Sequence, residues 1–89
     1  MPRKDEKHMM SKKEIAEAIK ESKAKAAAYA LFLKYHRGAK VERIEEGVHF
    51  ALPVDDVIID FVSCYTRMRF SYMYDWRTEE TKVSEKSIR

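Results

Sequence analysis

Apolar residues gather in three stretches of the chain, each with its own rhythm. In the first, Ile15, Ile19, Ser22, Ala26, Tyr29, Leu33 and His36 recur at alternating steps of four and three, the spacing of one helical face. Local signals agree. Ser11 and Glu14 have the S-x-x-E spacing of a capping box, with Met10 and Ile15 placed as a hydrophobic staple. Gly38 sits where a left-handed C-cap is wanted. Lys34, His36 and Arg37 fall where cations meet the negative end of the helix dipole. The pattern predicts a helix over about 11–37. From Ala24 to Leu33 it is apolar nearly all round, as expected of a helix enclosed on several sides.

The second stretch alternates. Val48, Phe50 and Leu52 share one face, and Val41 to Ile44 precedes them across Glu45-Glu46-Gly47. This predicts a β-hairpin over about 40–52, with a short loop ending in Gly. The first strand alternates poorly, so its register is not fixed by pattern.

The third stretch, Val54 to Trp76, satisfies two periods. As a helix it lines up Val54, Ile58, Phe61, Tyr65, Met68, Tyr72 and Trp76, with Pro53 at the first helical position. As a strand it lines up Val62, Cys64, Thr66, Met68, Phe70, Tyr72, Tyr74 and Trp76 by strict alternation, in residue types that favour strands. No Gly, Pro or Asn interrupts it, and one strand of that length lies far outside the usual range of about three to ten residues. Length therefore favours a long apolar helix over about 53–76. A helix to about Thr66 followed by a strand is the rival. The flanks, 1–10 and 78–89, read as a flexible tail and a polar C-terminal tail around one α+β domain spanning 11–77.

Such a domain has apolar surface to spare. Two helices and a hairpin cover one face of each element, so the remainder predicts a homodimer or higher oligomer. The expected interface residues are Tyr29, Phe32, Phe61, Tyr65, Met68, Tyr72 and Trp76.

Composition narrows the function. The chain has 89 residues, 18 Lys and Arg against 15 Asp and Glu, and a formal net charge of +3. Its single cysteine, Cys64, excludes an internal disulfide. No run is long and apolar enough for a membrane span, and the charged first residues do not read as an export signal. These features are read as cytoplasmic, with no membrane partner. Asn and Gln are absent and 37% of residues are charged, a pattern of thermophile proteins that five Met and the Cys oppose mildly.

Catalytic and metal chemistry is poorly supported. His8, His36, His49 and Cys64 are scattered without ligand spacing, so neither a metal nor another cofactor is expected. Cys64 reads as a buried thiol and His36 as a helix-end residue. Asp55, Asp56 and Asp60 read as acids near a helix start, although an enzyme built on Asp56, Asp60 and Cys64 is the weakest of three readings.

The leading reading is a non-enzymatic small basic protein that contacts nucleic acid, DNA or RNA, as an oligomer. Its expected contact residues are Lys34, Arg37, Lys40, Arg43, Arg67 and Arg69, the last two interleaved with aromatic residues. Without Asn or Gln, the usual readers of adenine, sequence preference should be weak. The alternative is a protein–protein interaction module, a small adaptor or inhibitor, using the aromatic surface of 54–76.

Overall fold

A computed structural model describes residues 9–47 and 53–88. The element order is α1 (Lys12–Glu21), α2 (Lys23–Tyr35), β1 (Lys40–Glu46), β2 (Val54–Ser63), β3 (Thr66–Asp75) and β4 (Glu80–Ser87). The strands form one antiparallel sheet in the order β1-β2-β3-β4, with α2 packed against it and α1 packed on α2. The class is α+β. Of the tail expected at 1–10, residues 1–8 lie outside the described residues, as does the strand expected at Val48–Leu52. The hairpin expected over 40–52 is corrected at its loop: Glu45 and Glu46 belong to β1, whose ladder partner is β2, at Ile58 and Val57.

The long helix over 53–76 does not exist; that stretch is the β2–β3 hairpin. Cys64 and Tyr65, at φ 50° and 66°, reverse the chain between the paired residues Ser63 and Thr66. A two-residue hairpin turn with both residues left-handed normally carries Asn or Gly there. This chain uses neither, so the length argument ran across an unmarked turn. The alternation of β-branched and aromatic residues was the true signal.

The first helix also needs correcting. Ser22 is extended (φ −146°, ψ 128°), and it ends α1 and caps α2 by accepting a hydrogen bond from the Lys25 N–H. The Ser11–Glu14 capping box is formed and Gly38 has φ +84°. The break resets the helical phase. Ala24, Ala28 and Phe32, each four apart, face the sheet, while Leu33 of the expected stripe is exposed. Small Ala24 and Ala28 let α2 sit close to the strands. Phe32 then meets Phe61 at 5.0 Å and Phe70 at 5.5 Å, both edge-to-face, the favoured geometry for aromatic pairs. Val41, Ile44, Val57, Ile59 and Tyr72 complete the core.

The weak alternation in β1 has a cause. A register shift between Val41 and Arg43 puts Val41 and Ile44, three apart, on the same buried face. The Met10 N–H bonds the Val41 carbonyl at 2.8 Å, and the Ser22 hydroxyl donates to Glu46 Oε1 at 2.7 Å. These contacts set α1 alongside the outer edge of β1, and α2 returns across the sheet. At the opposite edge, β4 replaces the expected polar tail. All its residues are exposed, and Lys82, Glu85 and Lys86 give that edge charges of a kind that discourage further strand pairing.

A non-glycine residue in the left-handed region costs about 1–2 kcal/mol, partly offset by the extra entropy that Gly loses on folding, about 0.5–1 kcal/mol. Tyr65 is fully exposed and contributes no packing. Tyr65→Gly is therefore expected to stabilise the protein by roughly 0.5–1 kcal/mol in urea unfolding. Destabilisation would contradict the turn, since Gly inside a helix weakens it.

Candidate basic-end site

Strand alternation sorts β3 into two faces. Met68, Phe70, Tyr72 and Tyr74 point toward α2, while Arg67, Arg69, Ser71 and Met73 lie on the face that no helix covers. The arginines and the aromatic rings of this strand therefore stand on opposite sides of the sheet. Along the uncovered face, Arg43, Asp60, Arg69 and Lys86 form one cross-strand row. Lys40, Val62 and Arg67 form the next.

Asp60 anchors the first row. It is 4% exposed. Arg69 donates through Nε to Oδ1 at 2.8 Å and through Nη2 to Oδ2 at 3.2 Å. Arg43 Nη2 donates to Oδ2 at 2.9 Å. Burial pushes the Asp60 carboxyl upward, but the hydrogen bonds and positive charges of Arg69 and Arg43 outweigh it and hold the pKa below the ordinary value. Arg67 is paired separately, donating through Nε to Glu42 Oε1 at 3.0 Å.

Topology then gathers charge at one end of the molecule. The C-terminus of α2, the start of β1, the β2–β3 turn and the end of β4 all meet there: the His36 ring lies tilted against Phe61 at 4.5 Å, and the Ile88 N–H bonds the Arg67 carbonyl. Of the six cations expected to contact nucleic acid, Lys34, Arg37, Lys40 and Arg67 lie on the element ends that meet here, while Arg43 and Arg69 stand farther along the strands, paired across Asp60. Lys86 joins them, a residue that the sequence reading assigned to the polar tail. The anions among them, Glu42, Asp60 and Glu85, are held by Arg67, by Arg43 and Arg69, and by His36, and Arg43 also pairs with Glu45 at 3.3 Å. Glu85 accepts from His36 Nε2 at 2.8 Å, so His36 ties the helix end to β4. Tyr65 stands at the tip with its whole side chain in solvent. The other end carries Glu45, Glu46, Asp55, Asp56, Asp75, Glu79 and Glu80, with Lys23, Arg77 and Lys82 as the nearby cations.

The expected interface residues are divided. Phe32 and Phe61 are fully buried within the chain and Tyr72 nearly so. Tyr29 and Met68 are half-buried against the core. Tyr65 and Trp76 stay exposed. Cys64 is exposed on the turn rather than buried. Asp56 and Asp60 lie on the uncovered face, while Asp55 lies on the α2 side, so the three do not cluster. Among the described residues, no group of three His, Cys, Asp or Glu has metal-binding geometry, and no helix is long and apolar enough to cross a membrane. No protein-family model, curated protein or solved structure matches the chain.

The lowered Asp60 pKa makes stability depend on acid. As pH falls, the unfolded chain takes up the proton first, so the stability held above about pH 4 is lost as pH drops toward the lower folded value. Asp60→Asn is expected to lower stability at pH 7 by about 1–3 kcal/mol. It should also make the loss below about pH 4 shallower than in the wild type. Equal acid limbs in denaturant titrations would place Asp60 outside any such network.

Proposed function

We propose that the chain is a non-enzymatic nucleic-acid-binding protein that engages phosphates through its basic end, with weak sequence preference, as an oligomer. The observation that supports this is the gathering of the exposed Lys34, Arg37 and Lys40 with Arg67 at the end of the molecule where the Tyr65 ring is exposed. Cations at that density attract a polyanion, and most of the binding free energy then comes from counterion release. A ring at the tip offers one face for an unpaired base. Arg43 and Arg69 are balanced by Asp60 and by Glu45, which lies 3.3 Å from Arg43, so the unpaired positive charge of this end rests on Lys34, Arg37 and Lys40. Weak preference follows from the absence of Asn and Gln, which leaves Arg and shape as the means of reading bases.

Anisotropy titrations of unrelated oligonucleotides test this. Affinities within a few-fold of one another and a steep fall with salt are expected. The combined variant Lys34→Glu, Arg37→Glu, Lys40→Glu removes cations that hold no ion pair among the described residues. It should weaken binding at least tenfold and flatten the log–log salt slope by roughly 2–3, since each phosphate contact contributes about 0.9. Absence of binding at low salt, or an unchanged variant, would defeat the proposal.

The oligomer is argued from α2. Its inner face meets the sheet, yet Ala30, Leu33 and Tyr35 are left exposed on the outside. A second copy, contributing the same surface about a twofold axis, is the simplest cover and would double the phosphate contacts of one assembly. Sedimentation should therefore report a dimer for the wild type and a monomer for Leu33→Glu, with the helical content of both unchanged. A monomeric wild type at high concentration would remove the oligomer from the account.

A further inference from the structure

At the acidic end, on the α2 side of the sheet, a recess of about 280 Å³ opens between the helix and the end of β3. Its walls are Tyr72, Tyr74 and Trp76, and its floor is made shallow by Ala24 and Ala27. Small residues at these two positions leave space beside Tyr74 and Trp76 that a larger side chain would have filled, while Tyr72 is 7% exposed. Tyr74 and Trp76 meet at 4.9 Å with their planes 86° apart, so they form two perpendicular walls. Trp76 is fixed by its backbone, whose N–H bonds the Pro53 carbonyl at 2.8 Å, while its side chain stays 59% exposed.

Asp55 also lines the recess. It pairs with Tyr74 across the ladder, which brings their Cβ atoms to about 5 Å. Its carboxylate makes no hydrogen bond or ion pair to another described residue. Its charge is felt by Tyr72, whose hydroxyl pKa is raised by burial first and by Asp55 second.

Ring faces and a carboxylate share one preference. The faces of aromatic rings are electronegative and attract a cation, most strongly at Trp. A carboxylate adds the matching full charge, and the surrounding acidic end raises the local concentration of cations. The volume suits a head group rather than a drug-sized molecule, whose sites begin near about 300 Å³. We propose that this recess binds an alkylated ammonium or guanidinium group. Lys23, at the rim, opposes such a ligand by charge. The site is on the opposite end of the molecule from the basic surface and stands without the nucleic-acid reading.

Trp76 is the single tryptophan of the chain, so its fluorescence reports on the recess alone. The full-length protein is titrated with choline, with its neutral isostere 3,3-dimethyl-1-butanol, and with a short peptide containing trimethyllysine. Saturable fluorescence changes with choline or the peptide are expected, at least tenfold weaker with the neutral alcohol. The tighter of the two cations tells a free amine from a protein side chain as the source. Asp55→Asn, with unchanged circular dichroism and melting, should weaken the cation about three- to tenfold, and Lys23→Ala should tighten it. An equal response to the neutral alcohol would make the recess merely apolar and overturn the proposal. So would a linear, unsaturable response, or an Asp55→Asn variant that is folded and binds as the wild type does.

Discussion

The reversal at Cys64 and Tyr65 is the constraint on which the remaining structure depends. A two-residue turn leaves no freedom of register: Ser63 must face Thr66, and each pair down the ladder to Val54 and Asp75 follows. Because side chains alternate, that register decides which residues meet α2 and which do not. It delivers Phe61 and Phe70 to Phe32, and Tyr72 to the same layer. It delivers Asp60 and Arg69 to each other on the far face. A slip of one residue would put the arginines under the helix and the phenylalanines in water, at a cost far above the marginal stability of a domain this small. The two left-handed residues are thus held by the packing on either side of them.

The same register separates the chain's charges. Strands of ten residues carry the turn residues and their flanking arginines to one end, and Asp55, Asp56 and Asp75 to the other. The formal net charge of +3 conceals this, since a modest sum is made of two strongly unlike ends. A polyanion meets a local field rather than a net charge. The basic end and the aromatic recess are therefore suited to ligands of opposite sign, and a small domain has room for both because they lie at opposite ends of the strands.

What the sequence made legible was local. Ser11 and Glu14 cap α1 because their spacing alone determines the hydrogen bonds. Gly38 occupies the left-handed position because that conformation has a residue preference. The reversal at 64–65 was hidden because the residues that usually mark such a turn are absent, leaving a helical period and a strand period superposed on one stretch. The helix break at Ser22 was hidden because serine was counted as one step of an apolar stripe. β4 read as a tail because an edge strand exposed on all sides has no apolar alternation to show. The six cations were identifiable as charges, and the meeting of the element ends that carry Lys34, Arg37, Lys40 and Arg67 was not. The recess was invisible for a related reason: it exists where Ala24 and Ala27 meet rings contributed by another element.

The β2–β3 register is the claim most directly open to measurement, through cross-strand nuclear Overhauser effects in the protein in solution. The account predicts contacts between the backbones of Val57 and Tyr72, of Ile59 and Phe70, and of Asp60 and Arg69, partners in the ladder. A run of contacts between residues three apart through 58–70, with no signal between those partners, would show a helix and contradict it.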